Sequence, residues 1–160
     1  MNETLDHFLA TSMVTAISAP RGRFPHVNEK DHDGRTALHR AAMAGCKNTV
    51  QCLLALPITN VNLVDDYGLT PLILASDFGQ AEVVRLLLQK RGIDINFNAT
   101  AVGYSALHYA SDRGHIEVAR LLLQEEGIDV NLKESENGRA ALHKASVTGH
   151  EEVFRLLLQA

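Results

Sequence analysis

Tryptophan is absent from this chain, and aromatic residues make up only 5% of it, so a large aromatic core is excluded. The two cysteines, Cys46 and Cys52, have neither the number nor the spacing of a disulfide framework or a zinc site. Two lone thiols instead suit a reducing compartment. No run of Lys or Arg occurs and the formal net charge is −4, so neither nucleic acid nor an anionic membrane is expected as a partner. No apolar run approaches the length of a membrane span. The N-terminus, Met1-Asn2-Glu3-Thr4-Leu5-Asp6, carries acid where a signal peptide carries Lys or Arg. A cytoplasmic or nuclear protein is expected. The apolar share of 46% and charged share of 21% exclude wholesale disorder.

What the sequence does have is recurrence. Gly34, Gly68, Gly103 and Gly138 are separated by steps of 34, 35 and 35, and Gly45, Gly79, Gly114 and Gly149 repeat the same steps. The first series opens related blocks: Gly34-Arg35-Thr36-Ala37-Leu38-His39, Gly68-Leu69-Thr70-Pro71-Leu72, Gly103-Tyr104-Ser105-Ala106-Leu107-His108 and Gly138-Arg139-Ala140-Ala141-Leu142-His143. A period of this size marks a stacked array of small units. An enzyme usually needs unlike residues to converge once, whereas a repeat offers one surface several times. A binding scaffold is the first inference.

The third copy defines the unit. Ser105 to Ser111 predict a short helix whose small residues Ala106, Ala110 and Ser111 admit a close neighbour. Gly114 permits a tight turn. Ile116, Val118, Ala119, Leu121, Leu122 and Leu123 then put apolar groups on more than one face of a second helix, which implies burial from several sides. Gly127-Ile128-Asp129-Val130-Asn131 closes the unit, as Gly92-Ile93-Asp94-Ile95-Asn96 closes the second. One helix pair cannot cover its own apolar area, so the units must stack.

These blocks resemble the ankyrin-repeat family along almost the whole chain. Asp31, Gly34, Thr36, Leu38, His39, Ala41, Ala42 and Gly45 carry the pattern in the first copy. The second has Asp65, Gly68, Thr70, Pro71, Leu72, Ala75, Gly79, Val83, Val84, Leu86, Leu87, Leu88, Gly92, Asp94 and Asn96. Gly114 to Leu123 and Gly149 to Leu158 carry it in the third and fourth. The resemblance implies an all-α solenoid of helix-turn-helix units with projecting hairpin-like loops. Four repeats are expected, at 31–64, 65–99, 100–134 and 135–160, the last truncated. Three departures stand out. Ile73 replaces the histidine of the second copy and removes a polar brace. Pro57-Ile58-Thr59 replaces a glycine turn, so that helix is expected to end at Leu56. Phe97 to Val102 lacks the usual Asp, which predicts an irregular third hairpin tip.

Residues 1–30 match weakly. Leu5, Phe8, Leu9, Ser12, Met13, Ala16 and Ile17 give a helical stripe, read as a degenerate capping unit. At the other end Phe154, Leu156, Leu157 and Leu158 follow without a polar cap. That predicts a fragment of a longer array, or self-association of the C-terminal face; a monomer is expected otherwise.

His39, His108 and His143 share one repeat position, and the family implies that this histidine holds its own turn. His115 and His150 share another, one per unit, and so form no converging cluster. Neither a phosphate-cradling Gly-rich loop nor a nucleophile elbow is present, so no enzyme, catalytic residue, cofactor or metal is expected. Asn62, Asn96 and Asn131 each follow Val or Ile, with Leu54, Leu88 and Leu123 eight residues upstream. The resemblance implies two readings for them: bridges between adjacent loops, or sites of asparaginyl hydroxylation.

By family register the partner-binding face comprises hairpin tips and the open flank of the first helices. It draws Arg35 and Met43 from the first unit and Asp66, Tyr67, Leu69, Asp77 and Phe78 from the second. Val102, Tyr104, Tyr109, Asp112 and Arg113 come from the third, and Arg139 and Lys144 from the fourth. These positions differ between copies while the frame does not. The aromatic and apolar members are expected to anchor another protein or peptide, with Arg35, Asp77 and Arg113 setting orientation. Phe78 and Tyr109 have an alternative role, packing between helices. The chain is either such an interaction scaffold or the recognition portion of a larger effector, enzyme or channel.

Overall fold

The structure, a computed structural model, describes residues 26–99 and 102–160. The stripe from Leu5 to Ile17 lies outside the described residues. Within them the chain forms eight helices in four pairs and no strand: α1 (Ala37–Ala44) with α2 (Lys47–Ala55), α3 (Pro71–Asp77) with α4 (Ala81–Leu88), α5 (Ala106–Arg113) with α6 (Ile116–Leu123), and α7 (Ala141–Thr148) with α8 (Glu151–Leu158). First helices stack on first helices, α1 on α3 on α5 on α7, and second on second, α2 on α4 on α6 on α8. The result is a two-layered solenoid in which each unit's main contacts are with its neighbours.

The inner layer is thin because its buried residues are small. Ala41, Ala42, Ala75, Ser76, Ala110, Ser111 and Ala145 are all buried. The outer layer supplies bulk, with Leu53, Leu87 and Leu122 in register and each fully buried. Truncating one of them to Ala costs about 2–5 kcal/mol at a site that cannot collapse.

Each first helix begins with extended backbone at Thr36, Thr70, Ser105 or Ala140. The Thr36 hydroxyl accepts the His39 N–H and the Thr70 hydroxyl accepts the Ile73 N–H, so two helix N-termini are closed by side chains. Pro71 stands at the first helical position, where its missing N–H is harmless. The second helix of the first unit ends as expected at Leu56, whose N–H donates to the Leu53 carbonyl. Buried Thr59 donates its hydroxyl to that same carbonyl at 2.6 Å, replacing the turn made by Gly92 and Gly127 in later units.

At the C-terminal end Phe154, Leu156, Leu157 and Leu158 differ in exposure. Leu157 is buried and Phe154 and Leu156 are half-buried, because Val153 and Leu157 turn inward onto α6 and α7. The open apolar groups are Leu158, 61% exposed, and Val147, 72% exposed.

Candidate functional site

The frame and the open face have to be separated. The repeated histidines belong to the frame. Thr36 donates its backbone N–H to His39 Nδ1 at 3.1 Å, so Nδ1 is an acceptor and the proton sits on Nε2. That Nε2–H donates to the carbonyl of Leu69, in the next unit, at 3.1 Å. His108 repeats the arrangement, with Ser105 N–H at 3.3 Å and the Arg139 carbonyl at 3.1 Å. Each histidine therefore closes its own turn and also ties that turn to the unit beyond. Burial holds both imidazoles below their ordinary pKa, against the weaker opposing pull of those carbonyls. Ile73, buried in the second unit, makes no such bond.

His115 and His150 reach the other way. Their Nε2–H groups donate at 3.0 Å to the carbonyls of Asp77 and Asp112, at the ends of the preceding first helices. Gln80 takes this role between the first two units, donating to the Met43 carbonyl at 3.2 Å. The asparagines bridge loops: Asn62 Nδ2 donates to Gly92 O and its Oδ1 accepts from Asp94 N–H, and Asn96 treats Gly127 and Asp129 alike. For Asn131 no such side-chain bond occurs among the described residues.

Hairpin tips are braced by carboxylates. Asp31 accepts the N–H groups of Asp33 and Arg35, and Asp65 those of Tyr67 and Leu69. In the fourth unit the hairpin is one residue longer and the acid is Glu134. Its additional methylene lets it accept from Glu136, Asn137 and Arg139. Burial pushes the Glu134 carboxyl up, but those three donors and nearby Lys144 outweigh it and hold the group low. The third hairpin has this longer form with Ala99 in place of the acid; its backbone closes through Ala99 N–H to Tyr104 O at 3.0 Å. The carboxylate brace is therefore missing here, and the tip expected to be irregular includes Thr100 and Ala101, which lie outside the described residues. A group of Asp31, His32 and Asp33 gathers ligand atoms, but the guanidinium of Arg40 bonds both carboxylates and holds Asp31 well below the usual range.

Several residues expected on the open face are partly withdrawn from it. Arg35 is paired at 3.0 Å with the Asp65 carboxylate, which is fully buried, and reaches the Met43 sulfur. Lys144 is buried, its ammonium bonded to the Tyr104 hydroxyl and 4.1 Å from that ring's centroid. Tyr104 also stacks on His108 and meets Tyr109 edge-on at 5.3 Å. Leu69 and Tyr109 pack against the core, and burial, then Asp77, push the Tyr109 hydroxyl up. Val102 and Asp112 are half-buried, and their carbonyls accept from Ser135 N–H and His150. Arg139 is exposed.

What remains open centres on the second unit. Tyr67 is 61% exposed, Phe78 is 51% exposed, and Asp66 is exposed beside Tyr67. The Arg35 guanidinium stands 5.6 Å from the Tyr67 centroid. Arg113 pairs with Asp77 at 2.8 Å beside Phe78. Of the two aromatics with an alternative role, Phe78 lies open and Tyr109 packs. Neither the inter-unit reach of the histidines nor the burial of Lys144 can be read from spacing alone. The longer hairpin with Glu134 is visible in the sequence as three residues, instead of two, between acid and glycine.

The family model for ankyrin repeats (three copies) matches residues 9–99 and 97–160. Rabankyrin-5 of Mus musculus is 35% identical over 97 residues, 59% of this chain and 8% of the relative. Rabankyrin-5 of Homo sapiens is 37% identical over 82 residues, 50% of this chain and 7% of that protein. The human transient receptor potential cation channel subfamily A member 1 is 38% identical over 85 residues, 51% of the chain and 7% of the channel protein. The chain therefore spans under a tenth of the length of these relatives. Among the described residues, no helix is long and apolar enough to cross a membrane.

Proposed function

Because this chain belongs to the ankyrin-repeat family, we propose that it is a non-enzymatic protein-interaction module whose inner face receives another protein or a peptide. The observation that carries this reading is the contrast inside the second unit. Its frame residues are buried and bonded to both neighbours, while Tyr67 on the hairpin tip and Phe78 just after α3 lie open and neither packs against the core. Exposed aromatic groups on a rigid, otherwise satisfied surface make strong anchors.

The great length of the relatives favours a second form of the same reading. Here the chain is the recognition portion of a larger protein, and the active part lies in other residues.

Site-directed crosslinking tests the placement. Benzoylphenylalanine at Tyr67 or Phe78 is expected to capture a polypeptide from cell extract. The same probe at Gln51, exposed on α2, is expected to capture none. Equal capture from all three positions would refute the inner face as the interface.

A further inference from the structure

The charge of the inner face is unevenly distributed. In residues 31–45 Asp31 and Asp33 meet Arg35 and Arg40, and in 99–114 Asp112 meets Arg113. In 134–149 Glu134 and Glu136 meet Arg139 and Lys144. Residues 65–79 instead carry Asp65, Asp66 and Asp77 with no Lys or Arg. The second unit borrows its counter-ions, Arg35 for Asp65 and Arg113 for Asp77. Asp66 has no cationic partner within ion-pair distance among the described residues, and it is exposed next to Tyr67.

The Tyr67 ring is suited to the same charge. Arg35 stands near it, yet Arg35 is only 16% exposed in its side chain and is neutralised by the buried Asp65 carboxylate. With 61% of Tyr67 exposed, the ring still offers a π surface to a second cation, and Asp66 is adjacent to hold it. The other open anchor, Phe78, is the residue just after α3. Tyr67 lies on the hairpin tip four residues before α3 and Phe78 just beyond its last residue, so the two anchors are separated by the whole helix and part of the hairpin. The pair Asp77–Arg113 is internally balanced, so the Phe78 end calls for an apolar group.

We propose that the occupant of this face is an extended basic segment, with a lysine or arginine at Asp66 and Tyr67 and an apolar side chain further along on Phe78. This rests on the inner face being the interface. The local surplus of carboxylates steers such a segment in and repels acidic or phosphorylated ones.

The test uses the full chain, immobilised, with a display library of random dodecapeptides as probe. Enriched sequences are expected to carry net positive charge, with a Lys or Arg at a fixed spacing from Leu, Ile or Phe. For a synthetic peptide from that set, Asp66→Asn is expected to weaken binding about tenfold and Asp66→Lys further, with the melting temperature unchanged. Raising NaCl from about 50 to about 500 mM is expected to weaken it at least about fivefold. Neutral or acidic peptides that bind, and are lost with Tyr67→Ala plus Phe78→Ala, would overturn the basic occupant while leaving the interface intact. Peptides indifferent to both aromatic substitutions would overturn the occupant and the interface together.

Discussion

The imidazole of His150 lies directly over Gly114: a Cβ built on that glycine would fall 2.5 Å from His150 Nδ1. The glycine also has a positive φ of 73°, so the position excludes a side chain twice over. Gly149, one unit later with φ of 75°, has nothing within 4 Å of such a Cβ.

These two positions therefore separate backbone strain from collision. Gly149→Ala is expected to lower unfolding free energy by about 1 kcal/mol, the left-handed penalty alone. Gly114→Ala is expected to cost at least about twice that, since His150 must leave and release the Asp112 carbonyl. Urea denaturation of the two variants measures the difference. Equal losses would mean that His150 moves aside freely.

The third hairpin can be repaired. Ala99 occupies the place of Glu134 in a loop of the same length, and both residues are buried. Ala99→Glu is expected to accept the N–H groups of Val102 and Tyr104 and to stabilise the array by about 1 kcal/mol. A melting temperature at or below that of the parent would show that the third loop does not copy the fourth.

Acid should loosen the stack through His39 and His108. Burial depresses both folded pKa values, so below the unfolded value near 6.5 the unfolded chain binds protons that the folded chain does not. Stability is then unaffected by these groups above about pH 7 and falls as pH drops from about 6.5, by at most about 1.4 kcal/mol per pH unit for each histidine. Denaturation midpoints of the parent and of His39→Gln plus His108→Gln, taken from pH 7.5 down to about 5, check this. The double variant is expected to be less stable at pH 7.5 and to show a flatter decline; a parallel decline would acquit both residues.

The asparagines divide along the array. Asn62 and Asn96 lock the following loop by two bonds each, so hydroxylation there must await local opening. If an asparaginyl hydroxylase acts on this chain, the gain of one oxygen atom is expected first at Asn131. Peptide mass spectrometry after exposure to such an enzyme measures the order; faster modification of Asn62 or Asn96 would contradict it.

Much of the frame is legible in the sequence because its rules are local. Glycine spacing fixes the turns, the Thr36 to His39 offset fixes a helix start, and Pro57 signals a helix end. The inter-unit bonds are less legible, since the His39 partner is a backbone carbonyl that any residue supplies. The open face is the least legible part. Lys144 has the composition of an exposed residue but is drawn in by Tyr104, and Arg35 is drawn in by Asp65, because both partners sit one unit away in space. Asp66 and Tyr67 stay open because they sit at a hairpin tip, beyond the stacked helices.

The most direct measurement is the affinity of a partner captured at the inner face for the chain carrying Tyr67→Ala and Phe78→Ala, read beside its melting temperature. Both side chains are at least half exposed and outside the core, so melting is expected to stay within a degree or two of the parent. Binding is expected to weaken at least about tenfold. Unchanged affinity at unchanged melting temperature would contradict the account.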